Sequence, residues 1–391
     1  MKINKINRIY ILSFLFTLHI SISAYINSTF LTKIISEQYV GLLYTIASII
    51  TVVILSQSTR LLKHFGNRKF ILWLLFINML SLGVLITSAS PKLIALSFVS
   101  ILTTNTLVFL CIDIFIEHFG NPLTIGKNRG IYLTIVNIAW MLSPLITAIL
   151  ITQEGGYTTI YIVALITVIL MTLGLLFFIK DFKDKKYVRK PFLDTYVYLK
   201  KNKHMLAITI INFILQFFFV WMVIYTPLYL YRHMGFGWDQ IGVMFTIMLA
   251  PFVMFSLPVG ILIDKYHIKK RTFLYWGFAI MSIFTFIIPF ISTKNVALWA
   301  LILFMTRVGA SITQATSEIY FFTHVGEEDT HLLGLYRDMA PVAYIIAPVF
   351  ATLSFMFIPF KYLYIVLSII LLTGFYYISH LKHNHENRIS N

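Results

Sequence analysis

The feature that most constrains this chain is a series of long apolar stretches separated by short polar segments. Twelve stretches can be drawn, and each holds roughly the ~20 residues that an α-helix needs to cross a bilayer core. No other kind of segment satisfies its own backbone polar groups inside lipid, apart from closed β-barrels. The predicted fold class is an all-α membrane protein with twelve transmembrane helices. The stretches are residues 9–30, 39–59, 70–90, 93–116, 130–152, 157–179, 205–231, 239–263, 272–292, 295–319, 334–357 and 361–380.

The basic residues distinguish the two sides of the membrane. If both termini lie on one side, 25 of the 31 Lys and Arg residues fall on that side, 5 fall on the other, and Arg307 lies inside a stretch. Cytoplasmic loops carry the excess of Lys and Arg, so both ends are predicted to be cytoplasmic in a multi-pass protein of the cell (inner) membrane. The net charge of +16 therefore indicates contact with membrane lipids and not a nucleic-acid partner.

The stretches divide into two sets of six around one long polar segment. Residues 1–180 are predicted to form an N-terminal six-helix bundle, and residues 205–391 a C-terminal one. Residues 181–204 carry eight Lys and Arg residues against three Asp and are predicted to be a basic cytoplasmic linker. Outside this linker the polar segments are short, so the chain has no soluble domain in which to place a water-exposed active site.

The two sets share a local pattern, which indicates pseudo-symmetric halves. Gly130 opens the fifth stretch and Pro144 follows 14 residues later, while Gly334 opens the eleventh and Pro348 follows 14 residues later. Small residues surround both prolines. Small residues let membrane helices approach closely, and proline interrupts the backbone hydrogen-bond ladder. We call each of the two prolines, together with the small residues around it, a proline element.

A short motif follows the eighth stretch. It consists of Gly260, three apolar residues, Asp264 and Lys265, with further bases at 269–271. Gly260 is expected to let a neighbouring helix come close. This motif resembles the signature of the major facilitator superfamily of secondary transporters, which recurs after the second helix of each half. The twelve stretches, the division into six and six and the basic central segment extend the resemblance over the whole chain.

The first-half copy of the motif is degraded. Gly66 and Arg68 remain, but Lys63 stands at the acid position and Thr59 at the leading glycine position. The expected gating role of this copy is correspondingly weakened.

The resemblance implies a secondary transporter that exposes a mid-membrane site alternately to each side by rocking its two halves. It also implies that helices 1, 4, 7 and 10 line the solute path. The expected partners are a small-molecule solute and a coupling proton or cation, the protein is expected to be a monomer, and no cofactor is expected.

Charged residues at the cytoplasmic helix ends are predicted to form a latch that closes this side. A carboxylate can accept hydrogen bonds at a helix N-terminus, and bases can bridge to acids on other helices. The alternative interpretation is that these charges only set the orientation of the helices in the membrane and have no role in gating. The latch candidates are Gly260, Asp264, Lys265, Gly66, Arg68, Asp113, Glu117, Arg129, Glu318 and Arg337.

Arg307 is the strongest candidate for the solute path, because a charge at bilayer depth is costly and is by default functional. It would bind an anionic group of a solute or couple to a proton site; a buried structural partner is the alternative. His19 could carry a coupling proton, but a hydrogen-bonding role between helices is favoured. The remaining mid-span candidates, for each of which packing is the alternative, are Asn105, Asn137, Trp140, Asn212, Gln216, Tyr225 and Gln314.

The chain lacks the motifs that are typical of other classes of function. The chain has no cluster with metal-ligand spacing and no phosphate-binding glycine loop, so neither an enzyme nor an ATP-driven pump is predicted. Two alternatives stay open: a membrane-embedded lipid-linked transferase, and a sensor or scaffold on a transporter fold. Arg307 in the solute path would favour a solute with a carboxylate or phosphate, or a neutral hydrophilic solute with a separate proton relay. The abundance of aromatic and apolar residues keeps export of an amphiphilic solute open.

Overall fold

The structure is a computed structural model that describes residues 5–120, 125–151, 156–180, 182, 184, 202–266, 268–324 and 330–382. Within these ranges it describes all side chains except those at 59, 125–130, 256–257, 264–266, 330–335 and 337. All statements of structure below concern these residues.

Every regular element in the described ranges is helical, and twelve helices are long and apolar enough to cross a membrane. This confirms the predicted fold class; the cytoplasmic position of both ends stays a prediction. We number the helices as spans 1 to 12. Spans 1 to 6 are Lys5–Ala24, Glu37–Ser56, Asn67–Thr87, Pro91–Phe119, Ile125–Leu150 and Tyr157–Phe178. Spans 7 to 12 are Lys203–Leu228, Trp238–Tyr266, Lys270–Ile287, Val296–His324, Thr330–Phe355 and Leu363–Ser379.

Shorter helical segments join or extend the spans. Asn27–Leu31 follows span 1, and Ser58–Phe65 lies between spans 2 and 3. Tyr229–His233 continues span 7 as a π-helical turn. Pro227 lies just before this turn, and its missing N–H disturbs the regular hydrogen-bond ladder there.

Close packing divides the chain into two compact units. The first comprises Met1–Arg189, Met222–Thr246 and Tyr344–Leu353. The second comprises Lys190–Trp221, Ile247–Ala343 and Ser354–Asn391. The first unit therefore holds spans 1 to 6 together with the end of span 7, the beginning of span 8 and part of span 11. The two bundles predicted from the sequence, with their boundaries at 180 and 205, stay a prediction.

Span 1 forms the centre of the first unit and contacts spans 4, 5 and 6. Its side chains Ile9, Phe16 and Ile22 are almost completely buried there. In the second unit span 9 packs against spans 10 and 12. Spans 9 and 10 come closest at Gly277 and Gly309, where a Cβ added to Gly309 would lie 2.5 Å from the Gly277 carbonyl oxygen. This is the small-residue contact by which membrane helices gain close packing.

Candidate functional site

Arg307 lies near the middle of span 10 in the second unit and is 1% exposed. Its guanidinium Cζ lies 5.0 Å from the ring centroid of Phe218 and 5.4 Å from that of Phe219, both on span 7. A cation over aromatic faces is attracted by the negative faces of the rings, by about 2 kcal/mol when desolvated. Spans 7 and 10 thus place a positive charge between aromatic rings at the depth of the bilayer core.

The polar side chains of span 7 continue from these rings. Asn212 donates from Nδ2 to the Tyr336 carbonyl oxygen over 2.7 Å. Gln216 donates from Nε2 to Asn212 Oδ1 over 3.3 Å. Gln314, two helical turns beyond Arg307, is half-buried. The second unit therefore places Arg307 on span 10 beside Phe218 and Phe219 of span 7, and the amide groups of Asn212 and Gln216 on the same span 7.

A second polar cluster lies in the first unit around Asn105 Oδ1. This oxygen is 3.3 Å from His19 Nε2 and accepts a 2.7 Å hydrogen bond from Asn78 Nδ2. The same Asn78 nitrogen lies 3.0 Å from Thr104 Oγ1. Because an amide oxygen only accepts, His19 donates from Nε2 in this arrangement. Spans 1, 3 and 4 are joined by the cluster, as the favoured hydrogen-bonding role of His19 requires. Sequence reasoning missed Asn78, although it is also a mid-span amide.

The first unit holds three other candidates for the solute path. Trp140 meets Tyr25 edge-on, with ring centroids 6.0 Å apart. Tyr225 is buried, and its hydroxyl lies directly against Gly41 of span 2. Asn137 is half-buried. Of the first-unit candidates, the structure brings His19 and Asn105 into contact.

Each proline element is in close contact with a glycine of another span. A Cβ added to Gly242 of span 8 would lie 2.7 Å from the Pro144 carbonyl oxygen. One added to Gly41 of span 2 would lie 2.8 Å from Pro348 Cβ. Spans 2 and 8 are the second helices of the predicted halves, and spans 5 and 11 are the fifth. The two glycine–proline contacts therefore repeat the internal symmetry of the sequence, within the first unit.

Polar contacts reinforce the same region of the first unit. Thr45 Oγ1 donates to the Ile345 carbonyl oxygen over 3.2 Å, and Thr352 Oγ1 donates to the Gln38 carbonyl oxygen over 3.0 Å. Nearby, the Glu37 carboxylate lies 3.9 Å from Arg232 and 3.3 Å from His233. These contacts and the Gly41–Pro348 contact join span 2 to span 11 and to the end of span 7, while the Gly242–Pro144 contact joins span 8 to span 5. We call the whole set the far-end closure, because it lies at the helix ends away from the N-terminus.

The degraded first-half motif lies at the beginning of span 3. Gly66 has φ of +71°, a left-handed conformation that glycine adopts without steric cost. The next backbone N–H, that of Asn67, donates to Asp184 Oδ1 over 2.8 Å. The Asn67 side chain donates from Nδ2 to the Cys111 carbonyl oxygen on span 4 over 3.0 Å. A carboxylate thus occupies the positive end of the span 3 dipole, although the motif has Lys63 at its acid position. Sequence reasoning missed Asp184, because it lies outside the motif.

The second-half motif differs from expectation at its glycine. A Cβ on Gly260 would meet only Ile319 Cδ1, at 4.0 Å, which is an ordinary contact. The expected close helix approach occurs instead at Gly277 and Gly309. Among the remaining latch candidates, Arg68, Asp113 and Glu318 are half-buried and Glu117 is exposed. The side chains outside the described set are those of Asp264, Lys265, Arg129 and Arg337.

Metal binding finds no support in the part of the chain that the structure describes. No group of three or more His, Cys, Asp or Glu side chains is arranged there to hold a metal ion.

Comparison with known proteins identifies relatives at the level of family and fold. The family model of the Major Facilitator Superfamily matches residues 9–336 and 239–390. A solved nucleoside transporter, NupG, is similar with a TM-score of 0.74 and 13% identity, over 98% of this chain and 100% of that one. An auto-inhibited POT family peptide transporter gives 0.77 and 9%, over 99% of each chain.

A bacterial homolog of the human lysosomal transporter Spinster, in an inward-facing and unoccupied conformation, gives a TM-score of 0.72 and 12% identity. That match covers 96% of this chain and 94% of the other. A search of curated proteins by sequence returned no match. At these identities the similarity to solved structures shows a shared fold.

Proposed function

Because the chain belongs to the Major Facilitator Superfamily and is a multi-pass secondary transporter, we propose that it carries a small solute with an anionic group across the cell membrane. Transport proceeds by alternating access, in which two six-helix halves expose one site to each side in turn. Solute movement is driven by an ion or solute gradient, with a proton or another cation as the coupling ion. The protein works as a monomer in the cell (inner) membrane, with both termini in the cytoplasm.

The observation that carries the choice of solute is the buried guanidinium of Arg307. On insertion scales an arginine at the centre of a membrane helix costs about 2.5–3.5 kcal/mol. Phe218 and Phe219 offset part of this cost. A guanidinium is also the group that donates paired hydrogen bonds to a carboxylate or phosphate. Gln216, one turn along span 7 from these rings, supplies an amide for a neutral part of the solute.

The far-end closure supports the alternating-access part of the proposal. Its members are two glycine–proline contacts, two threonine hydrogen bonds and an exposed ion pair. Each is weak by itself, since an exposed ion pair contributes about 0.2–1 kcal/mol and a hydrogen bond about 1 kcal/mol. A closure built from several weak contacts can open and re-form during each transport cycle.

The test is solute flux in proteoliposomes that contain the purified protein. Radiolabelled carboxylates, phosphate esters and neutral solutes of similar size are offered with and without a proton gradient. We expect gradient-dependent uptake of an anionic solute, and its loss in Arg307→Ala. The matched control is Arg60→Ala, which removes an exposed arginine between spans 2 and 3.

Two results would contradict the proposal. Flux and apparent affinity that are unchanged in Arg307→Ala would remove Arg307 from the solute site. Chemical conversion of a solute without any flux would indicate an enzyme on a transporter fold.

A further inference from the structure

A cavity of about 160 Å³ lies at the N-terminal end of the first unit, separate from Arg307 and from the far-end closure. Span 1, the end of span 4 and the end of span 6 with the residues after it form its walls. It is far larger than the ~10–15 Å³ that one water needs. The lining residues are Lys5, Arg8, Phe119, Phe177, Phe178, Ile179, Lys180 and Phe182.

Three cations line this cavity, and each lies over a different phenylalanine ring. Lys5 Nζ is 5.7 Å from the centroid of Phe119, and Arg8 Cζ is 5.2 Å from that of Phe178. Lys180 Nζ is 5.9 Å from the centroid of Phe177. The rings hold the bases in place by cation–π attraction without neutralising their charge.

No acidic side chain in the described residues forms an ion pair with any of these three bases. Three positive charges that share a small cavity repel one another, and an anion between them would relieve this repulsion. A phosphate group suits the site, because a guanidinium and two ammonium groups supply the donors that phosphate oxygens accept. The charge of the cavity and its hydrogen-bond donors therefore suit an anion.

The surroundings of the cavity indicate where the phosphate comes from. Phe177 is 65% exposed and Phe178 is 47% exposed, at the end of a membrane span. Large apolar side chains with this exposure beside bases are typical of the boundary between acyl chains and headgroups. An acyl chain can lie on the outer ring faces while the headgroup phosphate enters the cavity.

We propose that Lys5, Arg8 and Lys180 form a binding site for a phosphate group, supplied by an anionic phospholipid or by a soluble phosphate compound. No step of solute transport is needed for this binding. The site ties the beginning of span 1 to the ends of spans 4 and 6 through a shared counter-ion.

The experiment uses full-length protein that has been delipidated in detergent. Native mass spectrometry measures adducts with added phosphatidylglycerol, with phosphatidylcholine as the lipid that has no net charge. Equilibrium dialysis measures binding of radiolabelled inorganic phosphate. The variant is Arg8→Gln/Lys180→Gln, and the matched control is Arg60→Gln/Lys63→Gln, which removes two exposed bases between spans 2 and 3.

We expect phosphatidylglycerol to remain bound to the wild type and to the control, and its apparent affinity to fall at least about tenfold in the variant. Arg8→Lys keeps the charge and should retain most of the binding. If inorganic phosphate binds as tightly as the lipid and displaces it, the site is for soluble phosphate. If the double variant does not fold, Lys180→Gln alone is used as the test variant. Equal lipid and phosphate binding by variant, control and wild type overturns the proposal, and so does equal loss in variant and control.

Discussion

Asp184 Oδ1 accepts a 2.8 Å hydrogen bond from the backbone N–H of Asn67, at the first residue of span 3. The two residues are 117 positions apart in the chain. The carboxylate lies where the helix dipole is positive and where the first N–H groups of a helix have no partner of their own. Asp184 thus supplies to the first-half motif an acid that the motif does not contain. Asp184 and Asn67 are not among the latch candidates predicted from the sequence, although Gly66 beside them is, and gating by the first-half motif stays a prediction.

Replacement of Asp184 tests its contact with span 3. Asp184→Ala removes the acceptor and should lower stability by about 0.5–1 kcal/mol, as the loss of a helix N-cap does. Asp184→Asn keeps an acceptor and loses only the charge, so it should cost less. Thermal unfolding monitored by intrinsic fluorescence gives the comparison, with Glu117→Ala as the control for an exposed acid near the same helix end. Identical melting temperatures for Asp184→Ala and wild type would contradict a capping role.

Gly66 beside this contact should tolerate no side chain. Its φ of +71° places any other residue in the left-handed region, and an added Cβ would lie 2.5 Å from Asp184 Oδ2. Gly66→Ala should therefore destabilise the protein by about 1–2 kcal/mol. Gly83→Ala on the same span is the matched control, since a Cβ there has no neighbour within 4 Å and alanine favours a helix. A Gly66→Ala protein as stable as Gly83→Ala would show that this conformation is not required.

Enlarging Gly242 should open the far-end closure. Gly242→Val places its side chain against Pro144 and Ala148, and overpacking of this kind costs about 1–3 kcal/mol. The closed arrangement should lose population about tenfold, since 1.4 kcal/mol is a factor of ten. Maleimide labelling of Thr45→Cys, in a Cys111→Ser background, reports opening because Thr45 is 7% exposed. Gly83→Val is the control; equal labelling rates in both variants would refute the role of the glycine–proline contact.

The choice between lysine and arginine at position 307 tests the geometry of the proposed solute site. Arg307→Lys keeps the charge but loses the planar group that stacks on Phe218 and Phe219. We expect KM for the anionic solute to rise about tenfold, between wild type and Arg307→Ala, because about 1.4 kcal/mol of oriented contact is lost. Initial uptake rates over a concentration series measure the change. A wild-type KM in Arg307→Lys would mean that charge alone suffices.

The polar cluster at Asn105 should contribute to stability and not to coupling. Asn78→Leu removes the donor of the 2.7 Å bond and leaves the buried Asn105 oxygen with His19 alone, which should cost about 1–2 kcal/mol. Asn137→Leu, at a half-buried amide of span 5, is the control for stability. His19→Gln should likewise lower the melting temperature and leave the pH dependence of flux intact. Loss of that pH dependence in His19→Gln would assign the coupling proton to His19.

The proline elements show how far sequence reasoning reaches. Their matched spacing predicted pseudo-symmetric halves and close helix contacts, and close contacts are present at both prolines. The spacing did not name their partners, because Gly242 and Gly41 lie on other spans and no local pattern marks them. Gly260 shows the reverse case: its motif predicted a close approach, but the packing of span 8 places only the tip of Ile319 near it.

Twelve membrane helices follow from the sequence alone, because lipid requires unbroken apolar runs of fixed length and any such run is visible in one dimension. The excess of Lys and Arg on one side of the membrane likewise follows from the order of residues alone. Tertiary structure decided which residues meet: Asp184 with Asn67, Gly242 with Pro144, and Arg307 with Phe218. Such contacts join residues far apart in the chain, and helix periodicity fixes which face a residue occupies but not which helix packs against that face.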